Sequence, residues 1–391
     1  MMGALAWMVA AGQLLLALPF LVELFAGLPR SPRGMTPAAT LPRTIILMPA
    51  HDEARQIGAI LAALRLVLPE GMRLLVIADN CRDDTAAVAR AAGAPVIERH
   101  DPDRRGKGHA LAWGREHLRA DPPEVVIVLD ADCRAEPGAL ARLAAGAHAA
   151  QAPVQGLYLL APQPDAPAMV QVSGFAFLVK NRLRQRGLAR LGAPVPLGGT
   201  GMALPWALFR EAPLGGGHLV EDLAMSVALA RAGRPARFDE GARIWSDPAG
   251  ADATLAQRAR WEGGFLQVAR THGLALLGEG LQCGRPGLAW MGLHVMTPPL
   301  ALLVMAEVAL AALALPLALV AGAGGAGFLS LAVLAALGGG VLAAWALEGR
   351  PWLRAGALAR LPLYLLWKLP NYLRLARGRG PTAWIRTERD G

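Results

Sequence analysis

The chain of 391 residues is 54% hydrophobic and only 18% charged, greasier than a plain soluble enzyme and long enough for one sizeable α/β domain plus extra apolar segments. Its net charge of +9 is concentrated toward the C-terminus, where nine basic residues between Arg350 and Arg389 meet only Glu388 and Asp390; this suits an anionic membrane surface, and no helix-turn-helix, zinc or RNA-recognition pattern accompanies it to favour nucleic acid. Cys81, Cys133 and Cys283 are odd in number and form no CxxC pair, which argues against a disulfide framework or a zinc site and predicts a reducing compartment.

Residues 4–26 carry one ionisable side chain, Glu23, and are long enough to cross a hydrocarbon core that needs about 20 apolar residues. From residue 44 to about 245, short apolar runs alternate with helical ones, which predicts a mostly parallel sheet covered by helices. Strands are expected at 44–48, 73–78, 96–97 and 125–129, and helices at 53–66 and 84–92. Ligands in open α/β sheets sit outside the carboxyl ends of the strands, and here those ends are polar. His51, Asp52 and Glu53 follow the first strand, Asp79, Asn80, Asp83 and Asp84 the second, and Asp130 and Asp132 the fourth. Helix capping explains the first two groups locally, and a solvated turn explains the third; carboxylates on alternate positions can also converge on one hard cation.

Gly106-Lys107-Gly108 opens a helical run but lacks the spacing of a P-loop, so it reads either as a lysine with backbone amides for a diphosphate or as a solvated connection. Glycine loops at 198–201 and 215–217 come next, the second just before Glu221 and Asp222, which open another helix with the acidic start that any helix favours. Gln257 and Trp261 lie one helical turn apart, with Arg260 between them. Two further spans are expected at 295–320, with Glu307 its single ionisable residue, and at 328–347, where Gly338, Gly339 and Gly340 weaken the pattern. Residues 281–292 and 355–372 mix aromatic, apolar and basic side chains in the manner of interfacial helices. The resulting organisation is a span at 1–28, a catalytic domain at 40–273, an interfacial helix at 281–292, two spans within 293–348 and a basic interfacial tail at 349–391. Arg30, Arg33, Arg43 and the tail put the middle domain and the C-terminus in the cytoplasm by the positive-inside rule.

Taken in order, Asp79, the DxD of Asp130 and Asp132, the ED pair of Glu221 and Asp222, and QxxRW at Gln257, Arg260 and Trp261 resemble the inverting glycosyltransferases of family 2. The similarity is to the membrane-bound branch that includes cellulose, chitin and hyaluronan synthases. It implies a GT-A fold in which Asp52, Glu53, Asp79, Lys107, Asp130 and Arg260 bind a nucleotide-diphosphate sugar, by default a UDP-sugar. It also implies Mg²⁺ or Mn²⁺ on Asp130 and Asp132, Asp222 with Glu221 as the catalytic pair, and Trp261 with Gln257 at a glycan or lipid-linked acceptor. The expected activity is sugar transfer in polysaccharide synthesis at the cytoplasmic membrane face, with single-sugar transfer to a lipid as the alternative. Membrane lipids are implied partners, nucleic acid is not, and a second copy of the chain or an export partner stays open. A catalytically silent scaffold would typically lack the metal and base carboxylates, and a transporter would need more spans or more ionisable residues within them.

Overall fold

The computed structural model describes residues 1–30, 40–215, 221–248 and 250–377. Helix α1 (Met2–Gly27) comes first. Strands and helices then alternate: β1 (Thr44–Ala50), α2 (Ile57–Val67), β2 (Arg73–Asp79), α3 (Thr85–Ala91), β3 (Val96–Arg99), α4 (Lys107–Leu118) and β4 (Val125–Val128). They are followed by β5 (Cys133–Ala135), α5 (Ala139–Ala150) and β6 (Val154–Leu160). Next stand α6 (Ala168–Leu178), a π-helical stretch (Val179–Arg184) and α7 (Gln185–Arg190), then β7 (Met202–Pro205), α8 (Trp206–Glu211), α9 (Glu221–Arg231) and β8 (Arg237–Ser246). The last part is helical: α10 (Ala251–Gln282), α11 (Pro286–Met296), α12 (Leu300–Val320), α13 (Gly324–Ala344), a second π-helical stretch (Trp345–Gly349), α14 (Ala355–Leu358) and α15 (Leu361–Ala376).

The chain divides into two compact units. The sheet unit takes its described residues from 40–161 and 194–257, and the helical unit takes 1–30, 162–193 and 258–377. The sequence treats 40–273 as one domain, whereas residues 162–193 and 258–273 group with the apolar helices. Residues 162–193 are held there by Arg184 and Arg186, whose ion pairs are with Glu23 and Glu348 of that unit, and 258–273 by Glu262, which is ion-paired to Lys368.

In the sheet unit, eight strands run in the order β3-β2-β1-β4-β7-β6-β8-β5. β1, β2, β3 and β4 are parallel neighbours, β7 is antiparallel between β4 and β6, β8 is parallel to β6, and β5 is antiparallel on β8. The mostly parallel α/β sheet expected from the alternation is therefore present. β4 and most of β1 are unbroken apolar runs because helices cover both faces of a parallel sheet. Parallel pairing brings the carboxyl ends of β1, β2 and β4 to one edge, which positions the candidate site. Helix α2 starts at Ile57 rather than at residue 53, since the Glu53 amide donates to Thr85 Oγ1 (2.7 Å) and that of Ala54 to Asp83 Oδ2 (3.0 Å) instead of entering a helix.

Among the described residues, the helical unit contains three helical segments long and apolar enough to cross a membrane: Met2–Gly27, Leu300–Val320 and Gly324–Gly349. Each contributes one polar side chain to a buried junction. Gln13 Nε2 donates to the carbonyl (3.1 Å) and Oε2 (3.3 Å) of Glu307, and Ser330 Oγ donates to Gln13 Oε1 (2.6 Å). Polar groups in such helices are expensive to leave alone, so this junction fixes the rotation of all three. Gly340 lets α13 approach α1 closely, because a Cβ there would stand 3.1 Å from Leu24 Cδ2. The glycine run that weakens the third span as a pattern is helical, and Gly340 alone of the three makes such a close approach, Gly338 and Gly339 facing open space. The second span begins at Leu300 because Pro298 and Pro299 break the helix before it. The interfacial helix expected at 281–292 straddles a break: Gly284, at φ 61°, follows the end of α10, and α11 restarts with Pro286 at its first turn.

Two buried ion pairs hold the ends of this unit. Glu23 accepts from Arg184 Nε (2.6 Å) and Trp290 Nε1 (3.2 Å) and is hydrogen bonded to His294 Nδ1 (2.9 Å). Arg186, 2% exposed, donates to Glu348 Oε1 (2.8 Å) and to the Gly27 carbonyl (2.7 Å). Removing one partner of such a pair strands a buried charge at a cost of roughly 3–5 kcal/mol, against about 0–1 kcal/mol for an exposed pair. Glu348→Ala is therefore expected to lower the thermal unfolding midpoint of detergent-purified protein markedly. Asp165→Ala, which breaks the exposed pair with Arg354, is expected to leave it near wild type; equal effects would contradict the locking role of Glu348.

Candidate active site

β4 ends against Leu129, and the chain then presents Asp130 and Asp132 on either side of Ala131. Asp130 is held at both its backbone and its side chain. Its backbone amide donates to Thr200 Oγ1 (3.0 Å), its carboxylate is ion-paired to Lys107 Nζ, and that ammonium also donates to the Gly199 carbonyl (2.7 Å). Gly199 adopts φ 82°, and a Cβ there would lie 3.2 Å from Asp222 Oδ2 and 3.5 Å from Lys107 Nζ. Glycine at 199 is thus required both by backbone conformation and by the close approach of Asp222. The loop is held from below by Gln155 of β6, whose Oε1 accepts from the Gly198 amide (2.8 Å) and whose Nε2 donates to the Thr200 carbonyl (3.0 Å).

Glu221 and Asp222 open α9, as the sequence indicates. Ser226 Oγ donates to the Asp222 carbonyl (2.7 Å) and accepts from the Leu197 amide (2.8 Å), tying this turn to the start of the glycine loop. The Glu221 carboxylate rests on the first turn of α4, so closely that a Cβ at Gly108 would collide with its Oε2. A carboxylate at a helix N-terminus is favourable. Burial, with Asp222 adding to it against the pull of Lys107, nevertheless pushes the Glu221 pKa up to about 7. Burial opposes the charge on Lys107, but the Asp130 carboxylate outweighs it and the ammonium is stabilised. Burial and the neighbouring Asp132 push Asp130 upward against the pull of Lys107. Lys107, Asp130 and Asp222 are thereby brought together around the Gly199 loop, with Glu221 beside them at the start of α4.

Asp52, Glu53 and Asp79 form a second group, at the ends of β1 and β2. Asp79, 6% exposed, is paired with Arg99 Nη1 (2.6 Å), and its carbonyl is hydrogen bonded to His51 Nδ1 (2.6 Å). Asp52 Oδ1 accepts from the Arg82 amide (2.6 Å), and Glu53 accepts from Gln56 Nε2. Asp52 and Asn80 both hold positive φ, 55° and 52°, which turns the chain sharply where each strand stops. Of the QxxRW residues, Gln257 is buried at the end of the sheet unit, while Arg260 and Trp261 belong to the helical unit. There the Trp261 ring lies 5.9 Å from that of Phe177, with the Arg258 guanidinium 5.1 Å above it, and burial lowers the Arg260 pKa. Residues 216–220, including His218, lie outside the described residues, as do Arg33 and the basic residues beyond 377.

Residues 42–264 match the family model described as "Glycosyltransferase like family 2". The chain belongs to that family. Uncharacterized glycosyltransferases of Mycobacterium bovis and Mycobacterium tuberculosis are 38% identical to it over 100 residues, 26% of this chain. The match spans only 41% of those relatives' own length. A mannosyltransferase from Pyrobaculum calidifontis, solved in complex with GDP-Man and Mn²⁺, has a similar fold, with a TM-score of 0.57 and 19% identity over 88% of this chain and 98% of that one. The likeness supports the GT-A architecture of this family 2 glycosyltransferase.

The donor set of the DxD turn suits a hard cation. Ligand atoms of Asp130, Asp132 and Cys133 lie within 4.8 Å of one another. Burial and the two carboxylates hold the Cys133 thiol well above its ordinary range, so it donates to Asp132 Oδ1 (3.1 Å) as a neutral group, leaving two carboxylates as the hard oxygen donors.

Because its folded-state pKa is raised, Glu221 favours folding when protonated: its contribution is fully present below the ordinary value of 4.5 and is lost as pH rises through about 7. Glu221→Gln should therefore raise the unfolding midpoint at pH 8, measured in chelator, and change it little at pH 4.5. A gain at pH 4.5 as large as that at pH 8 would refute the assignment.

Proposed function

We propose that this family 2 glycosyltransferase transfers a sugar, with inversion, from a nucleotide-diphosphate sugar to an acceptor hydroxyl at the cytoplasmic face of a membrane. The observation that carries this reading is the convergence of Lys107, Asp130 and Asp222 on one glycine loop at the carboxyl edge of the sheet, with the Glu221 carboxylate beside it on the first turn of α4. Asp130 and Asp132 would hold Mg²⁺ or Mn²⁺, which when bound neutralises the charge that grows on the departing diphosphate. Lys107 supplies a cation beside the same carboxylate, and Arg260 is assigned a second contact to the diphosphate. Asp52, Glu53 and Asp79 bind the nucleoside, with Arg99 fixing the Asp79 carboxylate. Asp222 accepts the proton of the attacking hydroxyl, and Glu221 positions it by anchoring the first turn of α9 on α4. UDP is the default carrier, and GDP is the rival supported by the Pyrobaculum structure.

For the acceptor, QxxRW with Trp261 and Gln257 favours a growing glycan and hence polysaccharide synthesis. Single transfer to a lipid is the second reading, favoured by the apolar surroundings of Trp261 in the helical unit. Arg30, Arg43 and the basic C-terminal stretch support the cytoplasmic side.

One assay tests both chemistry and sidedness. Donor added outside sealed inside-out vesicles should support transfer, and the same donor outside right-side-out vesicles should not. Asp222→Asn should lose transfer by at least about 10²-fold, the lower range for a lost general base, while donor binding stays near wild type. Transfer by Asp222→Asn within about tenfold of wild type would remove it from the role of base.

A further inference from the structure

The ammonium of Lys107 and a hard cation have claims on the same carboxylate. Asp130 is one of the two carboxylates suited to the cation, and its Oδ1 accepts from Lys107 Nζ. Among the described residues, Lys107 is the one side chain that hydrogen bonds to that carboxylate. Another ion pair at this edge of the sheet is built differently. The side chains of Arg99 and Asp79 are each 8% exposed, and Arg99 is tied further to Asp101 (3.0 Å) and to the Arg104 carbonyl (2.8 Å). Lys107 and Asp130 are crowded by protein yet reached by solvent, at 27% and 34%. A pair that solvent reaches can part without stranding either charge in a dry interior, which Arg99 and Asp79 cannot do.

Lys107 also has an alternative to Asp130. An ammonium carries three N–H donors. Two are engaged, by Asp130 and by the Gly199 carbonyl (2.7 Å), and the third has no acceptor among the described residues. Gln155 holds the glycine loop independently, through the Gly198 amide and the Thr200 carbonyl, so Nζ can turn about its bond to Gly199 while the loop stays in place. An anionic oxygen such as that of a diphosphate is the acceptor that best suits the remaining donor. Toward a divalent ion arriving alone at Asp130 and Asp132, the Lys107 ammonium is a like charge on the same carboxylate, and the repulsion lowers the ion's affinity. A diphosphate reverses this, because its negative charge attracts the ammonium and the ion together.

We propose that Lys107 is a positioning residue that makes metal binding wait for the donor: it holds Asp130 Oδ1 until a diphosphate draws the ammonium away, pivoting on the Gly199 carbonyl. The proposal rests on the reading of the DxD turn as the metal site of a nucleotide-sugar transferase. It gives Lys107 a role that competes with the cation, in addition to its contact with the donor, and it couples the two ligands through one side chain.

The test uses the full chain purified in detergent and reads Mn²⁺ binding by calorimetry, first with Mn²⁺ alone and then with saturating UDP or GDP. Lys107→Gln keeps a donor for the Gly199 carbonyl and loses the charge, whereas Lys107→Arg keeps the charge. Lys107→Gln should bind Mn²⁺ alone about tenfold or more tightly than wild type, a gain that damage to the fold cannot produce, and Lys107→Arg should stay within about threefold of wild type. The strengthening of Mn²⁺ binding by nucleotide should shrink about tenfold in Lys107→Gln and persist in Lys107→Arg. Should Lys107→Gln fail to fold, wild type alone still answers. Acetic anhydride should acetylate Lys107 at least about threefold faster in saturating Mn²⁺ than in chelator, and more slowly again once UDP or GDP is added, with Lys180 as the internal reference. Binding of Mn²⁺ alone to Lys107→Gln no tighter than to wild type, an equal gain in Lys107→Arg, or acetylation of Lys107 indifferent to Mn²⁺ would overturn the proposal. The metal-assisted reading survives those outcomes as long as nucleotide strengthens Mn²⁺ binding to wild type. If Mn²⁺ binds to none of the three proteins, alone or with nucleotide, the metal-assisted reading and the role of Lys107 fall together.

Discussion

The Lys107–Asp130 ion pair is the contact on which the sheet unit's candidate site depends. An aspartate at the end of a wholly apolar strand is poorly solvated, and a lysine from the first turn of α4 gives it a counter-charge. That lysine also holds the Gly199 carbonyl, and the loop so fixed brings Asp222 within contact distance of a glycine that must lack a side chain. One ammonium therefore sets the mutual placement of a strand end, a loop and a helix start. Gln155 and Ser226 hold the loop from its other sides, so its geometry does not rely on the ion pair alone.

The helical unit obeys the same rule in a different solvent. Apolar helices attract one another weakly in lipid, and their arrangement is specified by the few polar groups they must satisfy. Gln13, Glu307 and Ser330 meet because each would otherwise face hydrocarbon, and Glu23 and Glu348 collect arginines from residues 182–186. This is why residues 162–193, interrupting the sheet in sequence, group with the apolar helices.

Much of the sheet was legible because strands buried on both faces leave continuous runs such as Val125–Val128, and the polar residues after them mark the ligand edge. The helix starting at Glu221 and the three long apolar segments were equally plain. What sequence could not show were partners distant along the chain. Arg99 reads as the end of a short strand, yet it holds Asp79; Thr200 reads as a loop residue, yet its hydroxyl accepts from Asp130. Gln155 left a signal, a lone amide in the otherwise apolar β6, that pattern reading passed over. Gly108 looked like part of a glycine-rich connection, and its real constraint is the carboxylate of Glu221 more than a hundred residues later. Helix boundaries moved where side chains competed for backbone amides, as at Glu53 and Ala54, or where Gly284 and Pro286 divided what looked continuous.

The account stands or falls on the carboxyl edge of the sheet being a metal-assisted nucleotide-sugar site. Isothermal titration of purified protein with UDP-glucose and GDP-mannose, in Mn²⁺ and again in chelator, addresses this directly. At least one donor should bind in Mn²⁺ and lose about tenfold or more in affinity in chelator, and Asp132→Ala should bind in Mn²⁺ only as weakly as wild type does in chelator. Donor binding of equal strength with metal, with chelator and in Asp132→Ala would contradict the assignment.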